Sequence, residues 1–324
     1  MGTFVGHVLP GLGFMLIGLW HLLNTVRNYA QSPWEFQTRP WFPAKFRGRV
    51  VKHIELLAIL VGSCLSISAE LFIGPERHQP LADDWTIPPE HLNNFEHSSI
   101  SLFFLIYAAV AIYVDRHEIH VPHGMLHVVA ALAFSQELLL FHLHSADHMG
   151  AEGQYHWLLQ LIVLVSLAST ILEVPFPKSF LVATVRSMSI LFQGIWFVHM
   201  GFMLWIPMFV PKGCKMNAEH GHMVVRCAEQ GANSRAKALA NLQFNWYLAS
   251  LLIFTVILYV KIMQYYGPEK SVSYIPVEVK GDEKDVEIGN AAKFSRPGHR
   301  RSPDGSQSDM DVEMESMQPL NLER

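Results

Sequence analysis

Histidine side chains are the groups in this sequence best suited to chemistry, because 18 of the 324 residues are histidine. Several of them lie with glutamates near the ends of apolar segments. Neutral imidazole and carboxylate together form a ligand set suited to Zn²⁺, Cu²⁺ or Fe²⁺. Three or four such groups from different helices could form a tetrahedral metal site, and a site with one open position could activate water. The same groups could instead sense pH, since histidine titrates at about pH 6.5, or serve only as hydrogen-bonding groups.

Eight of these ionisable residues are candidates for one shared site on a single side of a membrane. Ionisable groups inside membrane-spanning segments are costly and usually face the bundle interior or a wet cavity. Glu137 and His144 are seven residues apart, which places them on one helix face. His142 points about 200° away from His144, at about 100° per residue, so both could bind one ion only if the helix unwinds. The candidate metal ligands, with a divalent ion such as zinc as their cofactor, are Glu70, His97, Glu137, His142, His144, His148, His156 and His199.

The segments that must position these residues are long and apolar. Half of the residues are hydrophobic and 16% are charged, whereas soluble domains carry about 25% charge. A hydrocarbon core about 30 Å thick requires roughly 20 apolar residues in a helix. The composition therefore predicts an all-α, polytopic bundle of seven transmembrane helices. The predicted spans lie near 6–26, 53–74, 95–114, 122–142, 155–174, 186–209 and 240–264. Glycines at 11, 13 and 18 could let a neighbouring helix approach the first span, or could be incidental.

Lysine and arginine residues predict the orientation of this bundle, because they are enriched in short cytoplasmic loops. The N-terminal flank holds none before Arg27, whereas the loop after the first span holds six, from Arg27 to Lys52. We therefore expect a lumenal N-terminus, a cytosolic C-terminus and a lumenal position for the eight candidates. The loop at 210–239 departs from the rule, because it is predicted to be lumenal yet holds five basic residues. The net charge of −4 does not suggest a nucleic-acid partner.

Residues 267–324 differ in composition from the rest of the chain, since they are rich in Asp, Glu, Ser, Pro and Lys. Such a stretch cannot bury enough apolar surface to offset its ordering entropy. We therefore expect a membrane domain over 1–266, in contact with the lipid bilayer, and a disordered cytosolic tail over 267–324. In the tail, Tyr274 and Val277 fit the tyrosine–x–x–apolar pattern that vesicle-coat adaptors bind as an extended peptide, although so short a pattern also occurs by chance.

Two of the three cysteines, Cys214 and Cys227, fall in the same predicted lumenal loop. An oxidising lumen permits a disulfide there, and the bridge would close a short loop that holds His220 and His222. Two free thiols are the alternative. Cys64 lies in the middle of the second span, where we expect it only to pack.

Several short segments together resemble one known family. They are residues 6–11 (GHVLPG), 94–99 (NFEHSS), 138–160 (LLLFHLHSADHMGAEGQYHWLLQ), 191–196 (LFQGIW) and the loop that starts with PKGC at 211 and ends with VVRC at 227. This combination resembles the transmembrane protein 45 family, also known as a domain of unknown function, and its plant branch in particular. The resemblance covers residues 6–266. It implies a seven-span protein of endomembranes and supplies no reaction, because the family has no established catalytic mechanism.

No motif of a common enzyme class accompanies the histidines. The chain has no Gly-rich phosphate loop, no Gly-x-Ser-x-Gly and no His-Glu-x-x-His. The leading hypothesis is a non-enzymatic integral protein of endomembranes, such as the Golgi or endosomes, whose lumenal His/Glu cluster binds a metal ion or senses pH. The alternatives are an intramembrane metal-dependent hydrolase acting on a lipid-like substrate, and a transporter of metal ions or protons. The hydrolase would need three ligands, an open coordination position and a lipid-sized cavity. The transporter would need polar residues across the whole membrane, and mid-span polar groups are few.

Overall fold

A computed structural model describes residues 3–46, 49–74, 78–143, 150–219 and 222–266. This part of the chain contains seven helices that are each long and apolar enough to cross a membrane, which confirms the predicted all-α polytopic bundle. Its orientation and the domain boundary at 266 stay predictions, and the predicted tail lies outside the described residues. The helices are α1 (Phe4–Gln31), α2 (Ile54–Ser68, continued by a π-helical turn over Ala69–Ile73), α3 (Leu92–Arg116), α4 (Met125–Leu143), α5 (Gly150–Leu172), α6 (Phe180–Trp205) and α7 (Gln230–Tyr266).

Capping residues and prolines set several helix ends, and these ends differ from the predicted spans. Ser179 accepts a hydrogen bond from the backbone N–H of Val182 at 3.3 Å, so α6 begins six residues earlier than predicted. The same helix ends at Trp205, four residues early, because Pro207 disfavours helix just before it. Helix α7 begins at Gln230, ten residues early, since its first turns contain alanine, arginine and lysine, which favour helix outside the hydrocarbon as well.

Helices α1 and α6 run antiparallel and pack closely along their length, because glycines lie on both contact faces. A Cβ atom at Gly18 would overlap the backbone of Leu191, and a Cβ atom at Gly194 would overlap the backbone of α1. The missing side chains therefore let the two backbones approach each other. Of the three glycines noted in the first span, Gly11 and Gly18 face α6. Gly13 does not, because no described heavy atom outside its own helix backbone lies within 4 Å of its Cβ position.

Two antiparallel β-hairpins follow α1 and α6. Because these two helices run antiparallel, the hairpins lie at opposite ends of the bundle. The first pairs β1 (Ala44–Phe46) with β2 (Arg49–Val51), and the second pairs β3 (Cys214–Glu219) with β4 (His222–Cys227). In the second hairpin a disulfide joins Cys214 to Cys227, which are opposite each other in the register. Val225 of β4 is buried in the main core. The predicted loop at 210–239 thus contains a hairpin that packs on the bundle.

The hydrophobic core divides into two parts. The main part lies where α1, α5, α6 and α7 meet and includes Leu22, Trp196 and Leu251. A smaller part lies between α2 and α3 and includes Leu56 and Tyr107. An internal cavity separates these two packed regions and is bordered by most of the buried ionisable residues.

Candidate functional site

The internal cavity has a volume of about 1710 Å³ and is lined by residues of helices α1 to α6. Most of its ionisable residues lie toward two ends, and Glu137 lines the cavity outside these two sets. The His7 end contains His7, Glu70, His97, Glu152 and His156, and the His21 end contains His21, Glu55 and Arg186. Because His7 and His21 are 14 residues apart on α1, the two ends are separated by about 21 Å along the helix axis. The lining between them is mainly apolar: Phe14, Ile17, Ile59, Ile100, Phe104, Phe134, Phe141 and Phe197.

Glu55 of α2 is buried at the His21 end, and both of its carboxylate oxygens have partners. Oε1 lies 2.7 Å from Nε2 of His21, and Oε2 accepts the backbone N–H of Phe42 at 2.9 Å. Beside this pair, the hydroxyl of Tyr107 donates to the carbonyl oxygen of Pro40 at 2.6 Å. These contacts join α1, α2, α3 and the segment after α1, and they close this end of the cavity.

Arg186 of α6 extends these contacts and determines which ring nitrogen of His21 accepts a hydrogen bond. Its Nη1 lies 3.0 Å from Nδ1 of His21, and its Nη2 donates to the carbonyl oxygen of Arg39 at 2.9 Å. A guanidinium has no acceptor, so Nδ1 of His21 accepts the hydrogen bond. The imidazole proton is then on Nε2, where it is donated to Glu55. Both ring nitrogens of His21 and both carboxylate oxygens of Glu55 therefore have partners.

Glu173 follows α5 directly and is fully buried. Its Oε2 lies 2.9 Å from Nε of Arg186 and 3.1 Å from Nε2 of His127. Burial acts to raise the pKa of Glu173, but the charge of Arg186 and the contact with His127 outweigh it and hold the pKa below its usual range. The five residues His21, Glu55, His127, Glu173 and Arg186 thus form one continuous buried set, which we call the Arg186 network.

Glu70 occupies the His7 end of the cavity, in the π-helical turn that ends α2, and is buried. Asn94 of α3 donates through Nδ2 to the carbonyl oxygen of Glu70 at 3.0 Å and to its Oε2 at 3.2 Å. His97 follows Asn94 by three residues and places Nδ1 3.7 Å from Oε1 of Glu70. Residues three apart share a helix face, which explains why two polar residues of the NFEHSS segment approach the same carboxylate.

His7 of α1 and His156 of α5 lie next to each other at the same end, with ring centroids 5.9 Å apart. His7 also packs against the indole of Trp205, at 4.3 Å between ring centroids. Nδ1 of His156 lies 2.9 Å from the carbonyl oxygen of Glu152. Three helices, α1, α5 and α6, therefore meet at this pair of histidines.

The structure brings some of the eight predicted candidates to this end and places others elsewhere. Glu70, His97 and His156 line the His7 end. Glu137 also lines the cavity, and its Oε1 accepts a hydrogen bond from Gln193 at 2.7 Å. His199 points toward α7, where its Nε2 lies 3.2 Å from Oε1 of Gln243. His142 is exposed and does not line the cavity, and His144 and His148 lie outside the described residues.

Metal binding would need at least three ligands around one point. Within the described ranges, no three His, Cys, Asp or Glu side chains are arranged to hold a metal ion. The pair formed by Glu70 and His97 supplies two donor groups of suitable chemistry. The predicted metal site as a whole therefore stays a prediction.

The Arg186 network was not anticipated as a unit from the sequence. Glu55 lies within the second predicted span, and Glu173 and Arg186 lie at the ends of the fifth and sixth predicted spans. Their opposite charges were the available signal, because a charge buried at membrane depth needs a partner of opposite sign.

Comparison with known proteins supports the membrane assignment without supplying an activity. The profile of a family of unknown function, DUF716, matches residues 123–260. Transmembrane epididymal protein 1A of Mus musculus is 24% identical over 214 residues, which cover 64% of this chain and 68% of that protein. Transmembrane epididymal protein 1 of Rattus norvegicus is 25% identical over 214 residues, with the same shares. These similarities confirm the resemblance to membrane proteins of unknown function, whereas the transmembrane protein 45 family and its plant branch stay predictions.

Proposed function

We propose that this integral multi-pass membrane protein binds an elongated, amphipathic, lipid-like molecule in its internal cavity. The observation that carries the proposal is the cavity itself, which has a volume of about 1710 Å³. Pockets for drug-sized ligands usually measure about 300–1,000 Å³. A cavity of this size in the middle of a membrane bundle fits a molecule with a long apolar part.

The lining suggests how such a molecule is oriented. The His21 end is closed by His21, Glu55 and Arg186, which contact each other. Each of these residues is no more than 5% exposed. The middle of the cavity is mainly apolar. At the His7 end, His97 and His156 are only half-buried and present imidazole groups to the cavity. The polar part of the ligand therefore lies at the His7 end, and its apolar part extends toward the His21 end.

The same end supports the proposal that the protein responds to pH. Besides the His7–His156 pair, Glu152 and the Glu70–His97 pair, the cavity lining at this end includes Asp83, Glu90 and His91. Histidine usually changes charge between about pH 5 and 8, which would alter the attraction between these groups and a polar ligand. Ligand binding that changes in this range would fit an acidic endomembrane compartment, and both the compartment and the lumenal orientation are part of the proposal.

The second candidate function is metal binding, with metal-dependent hydrolysis of a lipid-like substrate. The observation that favours this candidate is the Glu70–His97 pair, which lies beside a lipid-sized cavity. Elemental analysis of the purified protein tests this candidate. Metal that is lost in His97→Ala would support it, and a metal-free protein would remove it. The adaptor motif at Tyr274 and Val277 lies outside the described residues and stays a proposal.

Native mass spectrometry of the protein from mild detergent micelles tests the proposed function. We expect co-purified lipid-like molecules in the unaltered protein. Ala130 lines the cavity, so Ala130→Phe should reduce bound ligand by about fivefold or more, since overpacking costs about 1–3 kcal/mol. Val128→Phe is the matched control, because Val128 lies on the same helix, is exposed and does not line the cavity. Equal ligand content in the two variants, or no bound molecule in the unaltered protein, would contradict the proposal.

A further inference from the structure

Helices α1 and α2 border the cavity without closing it. Helix α1 packs along α6 and comes close to α2 at few positions. The described hydrogen bond between the two helices, from His21 to Glu55, lies at the His21 end. Toward the His7 end the two helices therefore flank a gap.

The side chains along this gap line the cavity and are also largely exposed. Leu9 of α1 is 62% exposed, and Leu65 of α2 is 65% exposed, although both line the cavity. On the opposite wall, Phe134 of α4 and Phe197 of α6 are only 5% and 7% exposed. This contrast means that the cavity is closed on the side of α4 and α6 and open between α1 and α2.

Two glycines lie on the facing sides of the gap. Gly13 of α1 and Gly62 of α2 both line the cavity, and neither has a described heavy atom outside its own helix backbone within 4 Å of its Cβ position. Gly13 lies nine residues, about 14 Å, from the start of α1, and Gly62 lies eight residues, about 12 Å, from the start of α2. Both positions are therefore within spans that cross a hydrocarbon layer about 30 Å thick.

We propose that the gap between α1 and α2 is a lateral portal, defined by Leu9, Gly13, Gly62 and Leu65, through which a molecule with an acyl chain enters the cavity directly from the bilayer. The inference rests on the proposed function and names the source of the ligand. The surroundings support it, because an opening at this depth adjoins lipid chains and not water. The apolar rim allows the chain to move into the cavity without passing a charged group, while the glycines leave the width that side chains would fill.

A photolabelling experiment in vesicles tests the portal. The probe is a fatty acid bearing a diazirine, dissolved in phosphatidylcholine vesicles that contain the protein, and the measured quantity is the rate at which cavity residues become labelled. The double variant Gly13→Phe with Gly62→Phe should slow labelling by about tenfold or more, as expected for about 1.4 kcal/mol or more of added barrier. The matched control is Leu16→Phe with Val61→Phe, because both residues are exposed on the same helices and do not line the cavity.

The possible results separate the portal from the proposed function. Labelling at the unaltered rate in the glycine variant, or equal slowing in the control, overturns the portal. An unaltered protein that is not labelled, or is labelled as fast when Ala130→Phe fills the cavity, overturns the proposed function and the portal with it. A measurement without substitutions guards against a misfolded variant. After brief exposure, labelled peptides of the unaltered protein should include Leu9 and Leu65 before Phe134, and the reverse order contradicts lateral entry.

Discussion

Replacing Arg186 by methionine should remove the cation that holds the closed end of the cavity together. The guanidinium contacts three elements: Nη1 lies 3.0 Å from Nδ1 of His21, Nη2 donates to the carbonyl oxygen of Arg39 at 2.9 Å, and Nε lies 2.9 Å from Oε2 of Glu173. Its side chain is 4% exposed, and that of Glu173 is fully buried. Solvent therefore cannot replace the lost contacts.

The size of the effect follows from this burial. Removing one partner of a buried ion pair costs about 3–5 kcal/mol, because the remaining charge is left uncompensated. Losing the hydrogen bonds to His21 and Arg39 acts in the same direction, but effects within one network are not additive. We therefore expect Arg186→Met to lower the free energy of unfolding by about 4 kcal/mol. Most single substitutions cost about 0.5–3 kcal/mol, so this value would stand out.

Titration with SDS in mixed micelles, followed by tryptophan fluorescence, measures this free energy of unfolding. Arg27→Met is the matched control, because Arg27 is exposed and lies 5.0 Å from the ring of Tyr266. An exposed cation–π contact is worth about 0.5–1 kcal/mol. The double variant with Glu173→Gln should recover part of the loss, since it removes the unpaired carboxylate. If Arg186→Met cost no more than the control, the reasoning about the Arg186 network would be refuted.

Three further predictions concern other parts of the bundle. The pKa of Glu173 is held below its ordinary value of 4.5, so its stabilising effect is complete above pH 4.5 and is lost as the pH falls through the lowered pKa. The free energy of unfolding of Glu173→Gln should therefore depend less on pH below 4.5 than that of the unaltered protein. An equal dependence on pH in the two proteins would contradict this. Gly18→Leu should prevent correct folding whereas Gly13→Leu should not, because only the first side chain meets the backbone of α6; equal yields in gel filtration would argue against the described crossing. Mass spectrometry without reductant should find Cys214 linked to Cys227, and free alkylation of both would exclude the bridge.

Hydropathy was sufficient to predict the bundle, because each span must bury its backbone polar groups within an apolar stretch of fixed length. The ends of the spans were harder to predict. Helix α7 continues from Gln230 through polar residues that hydropathy excludes from a span, and α6 stops before Pro207 although apolar residues follow. Capping and helix propensity decide these ends, and neither is visible in a window average.

The candidate site could be predicted only in part, because its geometry depends on which helices are neighbours. The sequence indicated that Glu70 and His97 lie on the same side of the membrane, and the structure pairs them. It gave no sign that α1 packs against α6, five spans later, and without that contact Arg186 has no visible link to His21. The orientation of Gly13 depends on the same packing. Because α6 packs against the face of α1 that carries Gly11 and Gly18, Gly13 faces the cavity.

A cryo-electron microscopy map of the full chain in lipid nanodiscs tests the central claim most directly. The proposal predicts one elongated density inside the cavity, running from His97 and His156 past Phe104 toward the His21 end, with the gap between α1 and α2 open to the bilayer. A cavity that has collapsed by contact of α1 with α2, or one that holds only separate water molecules, would contradict the claim that this protein binds a lipid-like molecule.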